Sequence, residues 1–160
     1  MSESFGRFRR SDRAVSSTVN YIQVLGIATL LISGLVFVAA DIVTDQHDRA
    51  TTEGLTVVGT QLAAELEATD VLVRSTGGDG TVERTVDLPT VSGGQYSVAI
   101  SETGVAHEYD LTLTTTGSGH SVTIPFVSDT PVVPASGLDG ESLRLVYQGD
   151  GTRELEVRDD

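Results

Sequence analysis

The 160-residue chain has no cysteine, no lysine and no tryptophan, one methionine and one asparagine. Each absence removes a class of chemistry. Without cysteine there is no disulfide framework, no thiol nucleophile and no thiolate zinc site. Without lysine there is no Walker A phosphate loop and no Schiff-base enzyme. The one asparagine, Asn20, precedes Tyr21 and Ile22, so no N-glycosylation sequon exists, whereas the many Thr and Ser residues leave O-linked sugars open. Proline is scarce, and none occurs before Pro89.

The charge that is present is one-sided. Twenty-three acidic residues stand against ten arginines, a net charge of −13, yet the mean hydropathy is +0.03, high for so acidic a chain. Residues 1–13 hold Arg7, Arg9, Arg10 and Arg13 against Glu3 and Asp12, a net +2. The next 27 residues, 14–40, carry no charge. Residues 41–74 carry a net −5 and residues 75–160 a net −10. A short basic tip, a neutral rod and a large acidic body follow one another.

A helix rises about 1.5 Å per residue, so a rod of this length spans roughly 40 Å, more than the ~30 Å hydrocarbon core of a bilayer. A transmembrane helix over residues 15–40 is therefore expected. Arginines flanking a span stay cytoplasmic and acids on the far side translocate freely, which places the carboxyl-terminal body outside the cell membrane. Val38-Ala39-Ala40 also reads as the small-residue cleavage site of a secretory signal peptide, and a mature start at Asp41 would mark that alternative. Gly26, Ser33 and Gly34 put small residues on one rod face, a candidate surface for helix assembly.

Beyond the rod, Leu55, Val58, Leu62, Leu66, Thr69 and Val73 recur at helical spacing while Glu53, Gln61, Glu65 and Glu67 fall largely off that stripe. An amphipathic helix continuing from the rod is expected over residues 41–74. Gly54 and Gly59 each lower its helix propensity by about 1 kcal/mol relative to alanine.

After Gly77-Gly78-Asp79-Gly80 the period changes from 3.6 to 2. Val82, Val86 and Leu88; Tyr96, Val98 and Ile100; Tyr109, Leu111 and Leu113; Val122, Ile124 and Phe126; Leu143, Leu145 and Tyr147; and Leu155 with Val157 mark six strands. Gly93-Gly94, Gly117-Ser118-Gly119 and Gly149-Asp150-Gly151 supply turns, and residues 131–140 read as one long loop. Clean alternation predicts an antiparallel sheet with one apolar face, and the stripe from Leu55 to Val73 is the segment shaped to cover it. The expected class is α+β: a long N-terminal helix, transmembrane in its first half and amphipathic in its second, packed on an antiparallel β-sheet head over residues 75–160.

No catalytic, metal or cofactor constellation emerges. His47 lies beside Asp45 and Asp48 on what reads as a solvated face, and His120 follows a Gly-Ser-Gly turn that should leave it exposed. His107-Glu108 lacks the second histidine of a zinc-peptidase helix. The two Gly-Asp-Gly triplets read as tight turns, and Glu154 and Glu156 as solvated surface. An acidic head repels phosphate, which argues against nucleic acid, and nothing points to a small-molecule substrate.

The junction Arg13-Ala14-Val15-Ser16, entered directly by an uncharged helix and followed by a β-rich acidic head, resembles an archaeal type IV pilin or archaellin-type subunit. Residues 13–34 together with 55–64 resemble more narrowly an uncharacterised family of haloarchaeal pilin-like membrane proteins. The lysine-free acidic composition is similar to that of halophilic archaeal proteins. The resemblance implies a non-enzymatic cell-surface subunit whose leader, residues 1–14, is removed by a prepilin peptidase. The cut would fall between Ala14 and Val15, after the base Arg13, and would leave the rod on the mature chain. It also implies other pilin-like subunits as partners, in a filament or a minor priming complex. Where haloarchaeal pilins commonly carry Ser-Pro after the cut, this chain has Ser16-Ser17-Thr18, and Asn20 and Gln23 interrupt the early rod. A permanently anchored single-pass protein displaying a β-rich binding module is the alternative.

Overall fold

A computed structural model describes the backbone of residues 5–149 and 153–160 and the side chains of residues 19–149 and 153–160. Helix α1, Phe5–Ser75, is followed by seven strands: β1 Thr81–Asp87, β2 Tyr96–Glu102, β3 Glu108–Thr115, β4 Ser121–Val127, β5 Ala135–Asp139, β6 Ser142–Gln148 and β7 Leu155–Asp159. Two compact units result, Met1–Asp45 and Gln46–Asp160, and the division falls inside α1. The class is α+β, with one long N-terminal helix and two antiparallel sheets.

In the second unit the helical stripe is fully committed to the core. Leu55, Val58, Leu62, Leu66, Thr69 and Val73 are all buried, at 2% exposure or less. The helix ends because Gly77 and Gly78 take positive φ (75° and 76°), which lets the Gly78 N–H reach back to the Val73 carbonyl at 3.3 Å.

The single sheet expected from alternation is two. One has the order β1-β6-β7 and the other β4-β3-β2-β5, all ladders being antiparallel. The Gly93-Gly94 turn therefore links strands of different sheets rather than closing a hairpin. Alternation reports which face of a strand is buried, not which strand lies beside it. The stretch read as a loop contains β5, whose Leu138 is its one buried side chain. Pro131, Pro134 and Gly137 hid it, and Gly137 takes a φ of 73°.

The two sheets meet where β5 runs alongside β7 in the same direction. Val132 bridges Leu155 in parallel, and the Asp139 N–H donates to Asp159 Oδ1 at 2.7 Å. The outer strands both border the helix. A Cβ on Gly59 would lie 2.8 Å from Ile124 Cγ1 of β4, and Glu65 pairs with Arg84 of β1 at 2.6 Å. The seven strands thus curve about one helix face, with β1 and β4 as the two lips.

Of the seventeen inward side chains marked by alternation, fifteen are buried; the others, Val122 and Ile124, are half-buried on β4. Tyr109 and Phe126 stack across β3 and β4 with ring centroids 5.5 Å apart. Pro125 sits within β4 without losing a ladder bond. The bonds Thr115 N–H to His120 O and Ser128 N–H to His107 O make even-numbered β4 residues bond β3, so the Pro125 nitrogen faces the open edge.

Candidate functional site

In the first unit the dominant feature is an apolar helix surface without cover. Large side chains from Val19 to Val43 are 51–74% exposed, Leu30 and Phe37 at the upper limit. By length and composition this is one helix able to cross a membrane. Its Thr and Ser hydroxyls are already satisfied within the helix: Thr29 donates to the Leu25 carbonyl at 2.8 Å, and Ser33 to the Thr29 carbonyl at 2.9 Å. Such back-bonding suits hydrocarbon, which offers no other partner. A Cβ on Gly26 or Gly34 would meet nothing within 4 Å, so the face carrying Gly26, Ser33 and Gly34 is open to close approach. Arg13, Ala14 and Val15 belong to α1 but lie outside the residues whose side chains are described.

The second unit gathers five of its arginines into ion pairs. Arg144 holds Glu83 at 3.1 Å and Asp160 at 2.7 Å, and those two partners raise its pKa; Arg153 lies 3.4 Å from Asp79. Arg158 pairs with Glu156, and that bond holds the Glu156 carboxyl below its ordinary value. Glu156 is therefore tied to a base rather than free on the strand surface.

One buried carboxylate has no counterpart in the sequence reading. Asp70, 4% exposed on the last turns of α1, accepts the Thr130 N–H at 2.8 Å and contacts Arg74 Nε at 3.1 Å; Arg74 in turn reaches Asp129 at 2.8 Å. Burial by itself would raise its pKa, but the hydrogen bonds from Thr130 and the Arg74 charge outweigh burial and lower it. The arrangement ties the helix end to the segment between β4 and β5. The signal for it was the i, i+4 spacing of Asp70 and Arg74 next to the buried stripe residue Thr69.

The histidines separate. His120 is not fully exposed, contrary to the expectation: its side chain is 31% exposed and its Nε2 lies 3.2 Å from Asp48 Oδ1. The turn expected to present it instead lies against the start of the helix within this unit. His107 adopts a φ of 68° in the turn before β3, with Nδ1 3.3 Å from the Ser128 carbonyl. Asp79 lies in the turn after α1; Asp150 and Gly151 of the second Gly-Asp-Gly triplet fall outside the described residues. Among the described residues, no three His, Asp or Glu side chains converge as a metal site. A shallow cleft of about 280 Å³ is lined by Tyr96, Asp139 and Glu141. The Tyr96 hydroxyl there donates to the Pro89 carbonyl at 3.0 Å, and burial pushes its pKa up to about 12.

Residues 10–158 match a family described as a family of unknown function (DUF7266). No curated protein and no solved structure matches the chain.

Proposed function

The chain belongs to this family of unknown function (DUF7266), over a span that runs from the arginine-bearing leader into the last strand, and from that premise we propose that it is a non-enzymatic, membrane-anchored, pilin-like structural subunit. The observation that carries the reading is the uncovered apolar helix between Val19 and Val43, uncharged through residue 40 and entered directly from Arg13 and Ala14. An apolar surface of this length needs hydrocarbon or other helices around it, and copies of a subunit can supply the second once the first is left. The arginines keep the amino terminus cytoplasmic, so the acidic head is external. A prepilin peptidase removes residues 1–14, with Arg13 as the base before the cut, Ala14 as the small residue and Val15 as the new terminus. The rod then anchors the subunit and packs through the Gly26, Ser33 and Gly34 face against other pilin-like subunits.

Mass spectrometry of the mature amino terminus tests this. A start at Val15 is the expected result, and an intact Met1 or Ser2 throughout the population refutes processing. Arg13→Glu should block the cut while leaving membrane insertion intact, because insertion depends on the rod; unchanged mobility beside a processed wild type would count against the assignment. Polar Asn20 and Gln23 near the start of the rod favour a second reading, in which the uncut chain remains a single-pass anchor displaying the head. An intact terminus would select it, and a start at Asp41 would select secretion instead.

A further inference from the structure

The seven strands end in two open lips. Bonds from Leu88 N–H to Glu141 O and from Gly149 N–H to Gly80 O fix the phase of β1: its even-numbered residues bond β6. Thr81, Glu83, Thr85 and Asp87 therefore turn their backbone N–H and C=O outward, where among the described residues nothing meets them. On β4 the outward residues are Ser121, Thr123, Pro125 and Val127. The other two edge strands, β5 and β7, turn toward each other: the Val133 N–H donates to Leu155 O and the Leu155 N–H to Pro131 O, which caps the start of β7, and β5 is short and joined to β2 across a register irregularity. An open, regular edge is a template for another strand.

The two lips differ in a complementary way. β1 carries Glu83, Arg84 and Asp87, whereas β4 carries no charge, in a head whose net charge elsewhere opposes approach of a second copy. Val122 and Ile124 are inward side chains left only half-buried, and Val127 is 55% exposed, so the β4 lip has apolar surface to cover. Both strands have seven residues. They also run in opposite directions within one head, because the segment from Val132 to Asp139 follows β7 from Leu155 to Asp159 in the same direction and the strand pairs within each sheet are antiparallel.

We propose that copies of the chain join head to tail, β1 of one pairing antiparallel with β4 of the next. Full overlap opposes Thr81 to Val127, Glu83 to Pro125, Thr85 to Thr123 and Asp87 to Ser121, all residues with outward backbone groups. Between them Val82 faces Phe126, Arg84 faces Ile124 and Val86 faces Val122, inward side with inward side. No carboxylate meets a carboxylate. Pro125 withholds one donor from this pairing but would withhold two from a symmetric β4 to β4 pairing, so it disfavours the closed alternative. A heterologous contact of this kind repeats, giving rings or open arrays rather than dimers. Copies in the same orientation can form it. The inference rests on reading the chain as an assembling subunit, and specifies which head surfaces assemble.

The native chain has no cysteine, so engineered thiols report cleanly. Membranes of cells making full-length chains with Thr85→Cys and, separately, Thr123→Cys are mixed or co-expressed and oxidised. The expected result is a disulfide dimer from the pair, a ladder of higher species from one chain bearing both substitutions, and little from either alone. Thr81→Cys with Thr123→Cys lies four residues out of register, roughly 14 Å along the strand and beyond disulfide reach, and should give about tenfold less product. Asp87→Cys with Ser121→Cys should also cross-link, and adding Thr85→Pro should abolish that product while the melting curve is kept, since the outward Thr85 N–H serves no ladder bond to β6. No product from the in-register pairs, equal product from the out-of-register pair, or cross-linking that survives Thr85→Pro would overturn the proposal. The amino terminus of the same material reports separately on the subunit reading: cross-links without a Val15 start leave lip pairing standing without leader processing, and a Val15 start without cross-links does the reverse.

Discussion

Two glycines five residues apart in the same helix should respond to alanine with opposite signs. At Gly54 an added Cβ would lie 3.4 Å from Val91 Cβ and Cγ1, an ordinary contact. At Gly59 it would lie 2.8 Å from Ile124 Cγ1 and 2.9 Å from Leu113 Cδ1, closer than carbon atoms tolerate. Alanine for glycine in a helix interior contributes about 1 kcal/mol of propensity at both positions. At Gly54 most of that gain survives, about 0.5–1 kcal/mol. At Gly59 overpacking costs about 1–3 kcal/mol, because Leu113 is fully buried, and the sum is a loss of roughly 0–2 kcal/mol. For a unit of this size 1 kcal/mol moves the melting temperature by roughly 3–6 °C. The assay is thermal unfolding of the full chain in detergent and molar salt, followed by near-ultraviolet circular dichroism of the buried Tyr96, Tyr109 and Tyr147. That signal reports the head rather than the rod. Gly54→Ala should melt higher than wild type and Gly59→Ala lower. Equal gains in both would refute the close approach of helix and four-stranded sheet.

Other perturbations test other parts of the fold. Asp70→Ala should lose about 1–3 kcal/mol, because the buried Thr130 N–H is left without its acceptor, as urea unfolding would measure. The folded pKa of Asp70 is depressed, so its contribution is present above the ordinary aspartate pKa and is lost as the pH falls below it; wild type should lose stability in that acid range more steeply than Asp70→Ala. Tyr96 has the opposite sense: its folded pKa is raised to about 12, so its contribution is complete below pH 10 and disappears between about 10 and 12, a loss that Tyr96→Phe should remove from the alkaline melting profile. Leu66→Ala, at 0% exposure, should cost about 2–5 kcal/mol in the same unfolding assay. With a net −10 over residues 75–160, the head should melt higher in molar salt than in dilute buffer; equal temperatures would contradict the self-repulsion argument.

Local periodicity determined a large part of this protein by itself. The uncharged run marked the apolar rod, the 3-4-4-3-4 spacing from Leu55 to Val73 named the buried helix face, and alternation named the inward residues of six strands, because burial on one side of a regular element leaves a repeat in the sequence. Pairing leaves no such repeat. That β1 lies beside β6, that β5 forms within a proline-bearing stretch, and that the sheet is two sheets meeting at β5 and β7 were decided by tertiary structure, since they depend on contacts between residues far apart in the chain. The same holds for individual side chains. Gly59 reads as a local propensity penalty until the approach of Ile124 and Leu113 shows why no side chain fits. Asp70 draws no notice in the sequence, and Thr130, sixty residues on, supplies the donor that makes this buried carboxylate stable. The open lips belong to this second class: charge and polarity along β1 and β4 are written in the sequence, but which backbone groups remain unpaired is decided when the other strands take their places.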